Sequence, residues 1–197
     1  LAQSKEDFLE KLKKVDKILP IVQVDIMDGT FTQNANFWDP EELFGIHTNA
    51  QYELHMMVDH PKALIPRFAD HPNIHRIYFH AECKDSPSEI IEEGAYYGFD
   101  MGVVFNPETP TSIADDYLHT LKSVMFMGVT PGAMGQPFVE STIDKIATFH
   151  AAHPEIEIEI DGGVSSATIS ALAKAGATRF VVGSALYKNP DGIEAAI

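Results

Sequence analysis

Short apolar segments alternate with helical patterns along most of this 197-residue chain. The segments typical of strands cover residues 21–27, 52–58, 76–80, 101–105, 123–129, 156–161 and 179–183. The helical patterns between them cover residues 61–68, 86–97, 111–117, 140–150 and 166–175. Strands that alternate with helices indicate a parallel sheet, because a parallel connection needs a long crossover that is usually helical. The pattern therefore predicts an α/β fold.

A further helical pattern, residues 5–19, stands before the first strand. Its apolar positions recur at helical spacing and are Phe8, Leu9, Leu12, Val15 and Leu19. In a repeating βα unit, each helix follows a strand, so a helix before the first strand indicates a further strand ahead of it. Seven strands with this leading helix therefore predict a (β/α)8 TIM barrel whose first strand is missing or truncated at the N-terminus of this chain. We expect one domain over residues 1–197. An open doubly wound sheet is the alternative.

Composition and charge narrow the function classes. The chain has 29 Asp and Glu residues against 14 Lys and Arg residues, a formal net charge of −15, which repels nucleic acid and anionic lipid. No segment has the roughly 18 consecutive apolar residues of a membrane helix, and the first residues lack a signal-peptide pattern. The lone Cys83 cannot form an internal disulfide. We therefore expect a cytoplasmic protein that holds any anionic ligand through local groups such as backbone amides.

Polar residues occupy the carboxyl ends of three predicted strands, where barrels of this kind carry their catalytic groups. By the two-residue period of a strand, Gln23 and Asp25 share one face of the first strand, and His55 lies on the matching face of the second. Isoleucines and acidic residues alternate in the sixth strand, so Asp161 should point inward at its end. Alone, an Asp before glycine is often a turn former, and a strand His is often a core residue. All three residues are predicted to lie on inward faces at the carboxyl ends of different strands. This agreement favours a site with two carboxylates and an imidazole.

Glycines follow the last two strands at the position where barrels bind phosphate through backbone N–H groups. The residues that could contribute such groups are Gly162, Gly163, Gly183 and Ser184. Glycine lets an anion approach the backbone closely, because it has no Cβ. The loop at residues 130–136 contains Gly132 and Gly135 and is long enough to close over a substrate as a lid.

Several longer motifs occur together in one order: VDIMDGTF, ELHMMV, FHAE, FNPETP, MGVTPGAMGQPF, IDGGV and VVGSALY. In their order and spacing the chain closely resembles the ribulose-phosphate 3-epimerase family over nearly its whole length. The resemblance implies an isomerase of the pentose phosphate pathway that interconverts D-ribulose 5-phosphate and D-xylulose 5-phosphate. It also implies a divalent metal held by Asp25, His55 and Asp161, with Asp25 and Asp161 as the proton-transfer pair acting through an enediolate.

The resemblance assigns further residues and contains one departure. Three inward methionines match methionines that line the family's site, namely Met27, Met57 and Met127. His80 and Glu82 in FHAE, and Asn106 in FNPETP, match family motifs and are candidates for contact with the substrate. Where the family has its first metal-binding His, this chain has Gln23. An amide oxygen is a harder and weaker donor than imidazole, which relatively favours Mg²⁺ or Mn²⁺ over Zn²⁺. The identity of the metal among Zn, Mn, Fe and Mg therefore stays open. The other role for Gln23 is a hydrogen bond to Asp25.

Alternative functions use the same motifs. An epimerase of a hexulose 6-phosphate would have the same site, and a catalytically silent phosphate-binding barrel would have lost its metal through Gln23. A sugar-phosphate lyase or synthase with an Asp-x-Lys-x-x-Asp motif is disfavoured, because Met27 stands where the lysine would be. The expected partner is a small sugar phosphate, with no nucleic acid and no membrane, and the sequence is compatible with a homo-oligomer.

Overall fold

The computed structural model describes residue 2 and residues 4–36, 40–132 and 135–196. Within these ranges, seven strands form one sheet in which the spatial order of the strands follows their order in the sequence. The described pairs between neighbouring strands are parallel. A doubly wound sheet would instead reverse its strand order at a switch point. The order observed here is that of a repeating βα barrel, and the prediction of a parallel α/β sheet is confirmed.

The chain divides into two compact units, Leu1–Met101 and Gly102–Ile197. The elements of the first unit are α1 (Lys5–Val15), β1 (Ile21–Met27), α2 (Pro40–Phe44), β2 (Gln51–Met57), β3 (Ile74–His80) and α3 (Pro87–Tyr96). Helix α1 begins after Ser4, whose Oγ accepts a hydrogen bond from the Asp7 backbone N–H at 3.2 Å. It buries Phe8, Leu12 and Val15, three of the apolar positions that predicted it.

β4 (Asp100–Phe105) begins at the end of the first unit and lies mostly in the second. The remaining elements are β5 (Ser123–Met127), α4 (Ser141–Ala152), β6 (Glu157–Asp161), α5 (Ile169–Ala175), β7 (Arg179–Val181) and α6 (Ser184–Tyr187). The core of this unit contains a cluster of aromatic rings. The ring centroid of Phe126 lies 5.6 Å from that of Phe105 and 5.5 Å from that of Phe149. These contacts pack α4 against the strands. In the described part of the chain, no helix is long and apolar enough to cross a membrane.

Two of the predicted helices differ from the structure in type. Residues 61–68 form two short 3₁₀ helices, Pro61–Ala63 and Ile65–Phe68. Pro66 has no N–H for an α-helical bond, and the Leu64 and Arg67 N–H groups bond to carbonyls three residues back. Residues 111–117 likewise contain a 3₁₀ helix, Thr111–Ala114, with bonds of the same spacing. The short helices α2 and α6 were not predicted.

Candidate functional site

Asp25 and His55 lie side by side because β1 and β2 pair in parallel with these two residues in register. Residues that face each other across neighbouring parallel strands point to the same side of the sheet. His55 Nδ1 lies 3.3 Å from Asp25 Oδ1, with the His55 side chain fully buried and the Asp25 side chain 15% exposed. The carboxylate therefore remains reachable from outside, whereas the imidazole is enclosed by protein.

The environment of Asp25 favours its ionised form. Burial by itself raises the pKa of Asp25, but the hydrogen bond and charge of His55, together with a hydrogen bond from Gln23, hold the pKa of this carboxyl below its usual range. A carboxyl group in this state is negatively charged at neutral pH. It can therefore bind a divalent cation or accept a proton.

Gln23 directs its carboxamide nitrogen toward this pair. Its Nε2 donates a hydrogen bond to Asp25 Oδ1 at 2.8 Å and lies 3.5 Å from His55 Nδ1. An amide N–H cannot ligate a cation, so a ligand role for Gln23 requires the carboxamide to turn its Oε1 toward the ion. Of the two roles considered for Gln23, metal ligand or hydrogen-bond partner of Asp25, the structure contains the hydrogen bond.

Asp161 is the last residue of β6, between Met127 of β5 and Val181 of β7. In the described ranges, one group of His, Cys, Asp or Glu side chains has the spacing of a metal site, with one ligand atom each from Asp25, His55 and Asp161 within 4.8 Å of the others. Two carboxylates and an imidazole are donors that Zn²⁺, Mn²⁺ and Fe²⁺ accept in proteins. The residues present therefore fit a divalent cation.

His80, the last residue of β3, is a polar neighbour of His55 that the sequence singled out only as a candidate for substrate contact. The two Nε2 atoms are 2.9 Å apart, the ring centroids are 5.0 Å apart and the ring planes differ by 24°, so the rings meet edge to edge. His80 is fully buried, and its Nδ1 lies 3.4 Å from Glu82 Oε2. The sequence signal that points to His80 is its position at a strand end within the FHAE motif.

The three methionines predicted to line the site are buried. Met27 is fully buried, and Met57 and Met127 are each 3% exposed. Met27 pairs with Met57 across β1 and β2, and Met127 pairs with Asp161 across β5 and β6. Their polarizable, uncharged side chains are suited to exclude water from reacting carbon atoms.

A cavity of about 410 Å³ in the second unit is lined by residues that follow β6 and β7, among them Gly163, Ser165, Ser184 and Lys188. The sequence predicted two of these four, Gly163 and Ser184, as phosphate-binding residues and did not single out Ser165 or Lys188. Lys188 lies four residues after Ser184, at the end of α6, and helical spacing could have indicated it. A lysine near bare backbone amides provides a local positive charge in a protein whose net charge is −15.

The glycines predicted to bind phosphate differ in what they do for the fold. Gly162 and Gly163 have φ of +98° and +71°, and an added Cβ would lie 2.6 Å from Val129 Cγ2 and 2.7 Å from Phe138 Cδ2, respectively. Both positions therefore require glycine for backbone conformation and packing. Gly183, with φ of −98°, has no atom within 4 Å of such a Cβ.

The predicted lid lies only partly within the described residues, which exclude 133 and 134. Gly132 and Gly135, on either side, have φ of +102° and +78°. The side chain of Gln136 donates a hydrogen bond to the Thr130 carbonyl at 2.6 Å, which ties the two ends of the loop together. Closure of this loop over a substrate stays a prediction.

Solved structures with the same fold define the class of protein. The chain is similar to 3-hexulose-6-phosphate synthase from Salmonella typhimurium, with a TM-score of 0.74 and 16% identity over 100% of this chain and 92% of that one. It is also similar to a mutant tryptophan synthase α-subunit from Pyrococcus furiosus, with a TM-score of 0.68 and 17% identity over 94% of this chain and 84% of that one. Together with the strand order, these likenesses confirm the predicted (β/α)8 class.

The particular family follows from the sequence comparisons. The profile described as "Ribulose-phosphate 3 epimerase family" matches residues 1–187. Ribulose-phosphate 3-epimerase of Serratia marcescens is 32% identical over 177 residues, 87% of this chain and 84% of that protein. The enzyme of the same name from Escherichia coli is 32% identical over 177 residues, 87% of this chain and 78% of that protein. The chain belongs to the ribulose-phosphate 3-epimerase family, which confirms the resemblance and the isomerase class.

Proposed function

We propose that the chain epimerises C3 of a ketose phosphate, with D-ribulose 5-phosphate and D-xylulose 5-phosphate as the substrate pair. The observation that carries the proposal is the convergence of ligand atoms from Asp25, His55 and Asp161 within 4.8 Å. The names of the relatives support the choice of substrate. A divalent cation held by these three residues would supply Lewis-acid stabilisation of the charge that develops on the substrate oxygens.

Epimerisation at C3 removes a weakly acidic proton and returns one to the opposite face of the same carbon. It therefore needs a base and an acid on opposite sides, and one carboxyl group cannot serve both faces. Asp25 and Asp161 come from different strands, β1 and β6. The lowered pKa of Asp25 keeps it ionised and ready to accept the proton of one epimer. Asp161 then donates to the other face of the enediolate, and the two exchange roles in the reverse direction.

The cavity near Gly163 and Ser184 is the proposed phosphate site. Backbone N–H groups after β6 and β7 would hold the phosphate oxygens, with Lys188 as a cation at the rim. Met27, Met57 and Met127 would wall the reacting carbon from water. A silent phosphate-binding protein would keep this cavity but would have neither bound metal nor proton exchange.

The decisive experiment is an NMR assay of C3 proton exchange in D₂O with ribulose 5-phosphate, allulose 6-phosphate and free ribulose. We expect exchange and epimerisation with a ketose phosphate, and a loss on the order of 10² to 10⁴ in turnover for Asp25→Asn and Asp161→Asn. Asp144→Asn, on the exposed side of α4, is the matched control and should keep full activity.

The outcomes of this assay separate the alternatives. Near-normal epimerisation by Asp161→Asn would contradict the two-carboxylate mechanism. A clear preference for allulose 6-phosphate would identify a hexulose phosphate epimerase. No exchange with any of the sugars, in protein that retains no metal, would favour the silent phosphate-binding alternative.

A further inference from the structure

A row of polar side chains extends from the Asp25–His55 pair into the interior of the first unit. Asp25 Oδ1 is 3.3 Å from His55 Nδ1, His55 Nε2 is 2.9 Å from His80 Nε2, and His80 Nδ1 is 3.4 Å from Glu82 Oε2. The two imidazoles in the middle of this row are fully buried. The proposed mechanism uses only the first two residues of the row.

The two nitrogens of His55 face different surroundings. Nδ1 faces the carboxylate of Asp25 and the Gln23 amide, so it is the nitrogen on the side of the proposed cation. Nε2 faces away from them, toward His80. The hydrogen bond from His55 to Asp25 requires a proton on Nδ1, and a cation that binds through Nδ1 would take the place of that proton. A neutral imidazole carries one N–H and one lone pair, so the remaining proton is then on Nε2. His80 Nε2, at 2.9 Å, is then the acceptor for that proton.

This arrangement also determines the state of His80. If its Nε2 accepts a hydrogen bond, its own proton is on Nδ1, which is the nitrogen beside the Glu82 carboxylate. The ring is held in place by packing, since Phe31 lies 4.5 Å from it and His55 lies 5.0 Å from it, centroid to centroid. A buried, closely packed ring with a carboxylate oxygen 3.4 Å from its proton-bearing nitrogen is a fixed acceptor.

We propose that His80 is a positioning residue for the metal ligand His55. It accepts the Nε2–H of His55 and so holds the tautomer and ring orientation in which the His55 Nδ1 lone pair faces the cation. The proposal rests on the proposed function, because it takes a cation at Asp25, His55 and Asp161 as given. Groups behind a metal-binding histidine typically change metal affinity by about 10- to 100-fold.

The effect should be strong in this chain because His55 is the single imidazole in the metal-binding group found in the described ranges. Gln23 stands where the family resemblance implies a further imidazole, the first metal-binding His of the motif. His80 is not part of that group, so its role would be exerted through His55 and not by ligation. A direct ligand role for His80 is the competing explanation that the test must separate.

The test compares Zn²⁺ affinity, measured against a competing chelator, in the full chain and in two variants of His80. His80→Phe keeps an aromatic ring between Phe31 and His55 but removes the acceptor, and we expect its affinity to fall about 10- to 100-fold. His80→Gln can place its Oε1 near the position of the imidazole Nε2 and accept the same proton. We expect it to remain within about threefold of the original affinity, since a replaced acceptor preserves the hydrogen bond.

His71→Phe is the matched control. His71 is another buried histidine of the first unit, 4% exposed, with its ring 4.9 Å from Phe44 and 5.5 Å from Tyr52. This variant should keep the original zinc affinity. Thermal unfolding of each metal-free variant confirms that it is folded. The ¹⁵N shifts of His55 in the zinc-loaded original chain give a second measurement that needs no variant, with protonated Nε2 and zinc-bound Nδ1 expected.

Three results would overturn the inference: unchanged affinity in His80→Phe, a loss in His80→Gln as large as in His80→Phe, or zinc bound to Nε2 of His55. The second result is the one expected if His80 were itself a ligand. Failure of the proposed function has a different signature, because the unaltered chain would then neither bind zinc nor exchange the C3 proton. If the unaltered chain binds zinc and exchanges the C3 proton, and His80→Phe keeps full zinc affinity, the role of His80 is refuted while the proposed function stands.

Discussion

At the scale of single residues, Gln23 is the departure from the metal-binding motif that the family resemblance implies. The resemblance implies an imidazole at this position, whereas the carboxamide of Gln23 donates to Asp25 Oδ1 at 2.8 Å. This hydrogen bond helps to keep Asp25 ionised. It also places a donor group, which cannot bind a cation, on the side where the proposed ion is bound. For the proposed cation, the position therefore combines a favourable effect on the carboxylate with the absence of a nitrogen ligand from residue 23.

Gln23→His should raise Zn²⁺ affinity roughly tenfold or more, equivalent to about 1.4 kcal/mol or more, because imidazole is a better zinc donor than an amide oxygen. Affinity for Mg²⁺, which prefers oxygen ligands, should stay the same or fall. Titration of both proteins with each ion under a competing chelator measures the change. Equal zinc affinities would show that residue 23 is outside the coordination sphere.

The glycines after β6 and β7 offer a second test at this scale, and Gly183 is the better probe. A methyl group at Gly183 meets no protein atom within 4 Å, so Gly183→Ala should obstruct only an approaching anion. We expect KM for a phosphorylated ketose to rise on the order of tenfold, about 1.4 kcal/mol of lost binding, with turnover and metal content unchanged. Gly163→Ala should also destabilise the fold, because of its φ of +71°.

Gly45→Ala is the control for this comparison. Gly45 likewise has no atom within 4 Å of an added methyl group, it lies directly after α2, and it is not among the residues that line the phosphate cavity. Its KM should equal that of the unaltered chain. A Gly183→Ala protein with the same KM as the Gly45→Ala protein would count against the backbone phosphate site.

At the scale of elements, the inward faces of the strands carry different groups at their two ends. The carboxyl ends of β1 and β2 carry Asp25 and His55, whereas the earlier part of β2 carries Glu53, which is 2% exposed. Glu53 Oε1 lies 3.3 Å from Arg76 Nη1 of β3. The second unit repeats the arrangement, because Arg179 Nε donates to Glu159 Oε2 at 2.9 Å. Buried charges are tolerated at these positions because they are paired.

Arg76→Met should reduce the free energy of unfolding by about 3–5 kcal/mol, since it leaves the buried Glu53 carboxylate without its guanidinium. Urea unfolding at neutral pH measures the loss. The double variant Arg76→Met with Glu53→Leu should recover most of the stability, because both charges are then absent. A single variant as stable as the double variant would show that the ion pair has little influence on the folded state.

At the scale of the whole molecule, a bound cation should stabilise the fold. An ion that binds the folded chain and not the unfolded one, present at about 100 times its dissociation constant, adds about 2.7 kcal/mol. For a chain of this size the melting temperature should then rise by roughly 5–10 °C. Thermal unfolding with and without Zn²⁺ or Mn²⁺ tests this. Asp25→Asn should lose most of the shift, and an equal shift in that variant would indicate binding elsewhere.

The sequence by itself determined the seven strands, the parallel α/β class and the faces shared by the residues of the predicted site. These properties depend on periodicities of two and 3.6 residues within short segments, so they can be read locally. Strand parity was enough to place Asp25, His55 and Asp161 on inward faces. The helix type at residues 61–68 was wrong, because the effect of Pro66 on the hydrogen bonds outweighed the apolar pattern.

Only the tertiary structure decided which atoms meet. The register of β1 against β2 sets Asp25 Oδ1 at 3.3 Å from His55 Nδ1, and packing turns the Gln23 amide nitrogen toward the carboxylate. The contact between His55 and His80 joins residues 25 positions apart, and no short-range pattern encodes it. Strand register and side-chain rotamers depend on packing between distant segments. For that reason the sequence identified the residues proposed as metal ligands, and the three-dimensional structure showed which neighbours contact them.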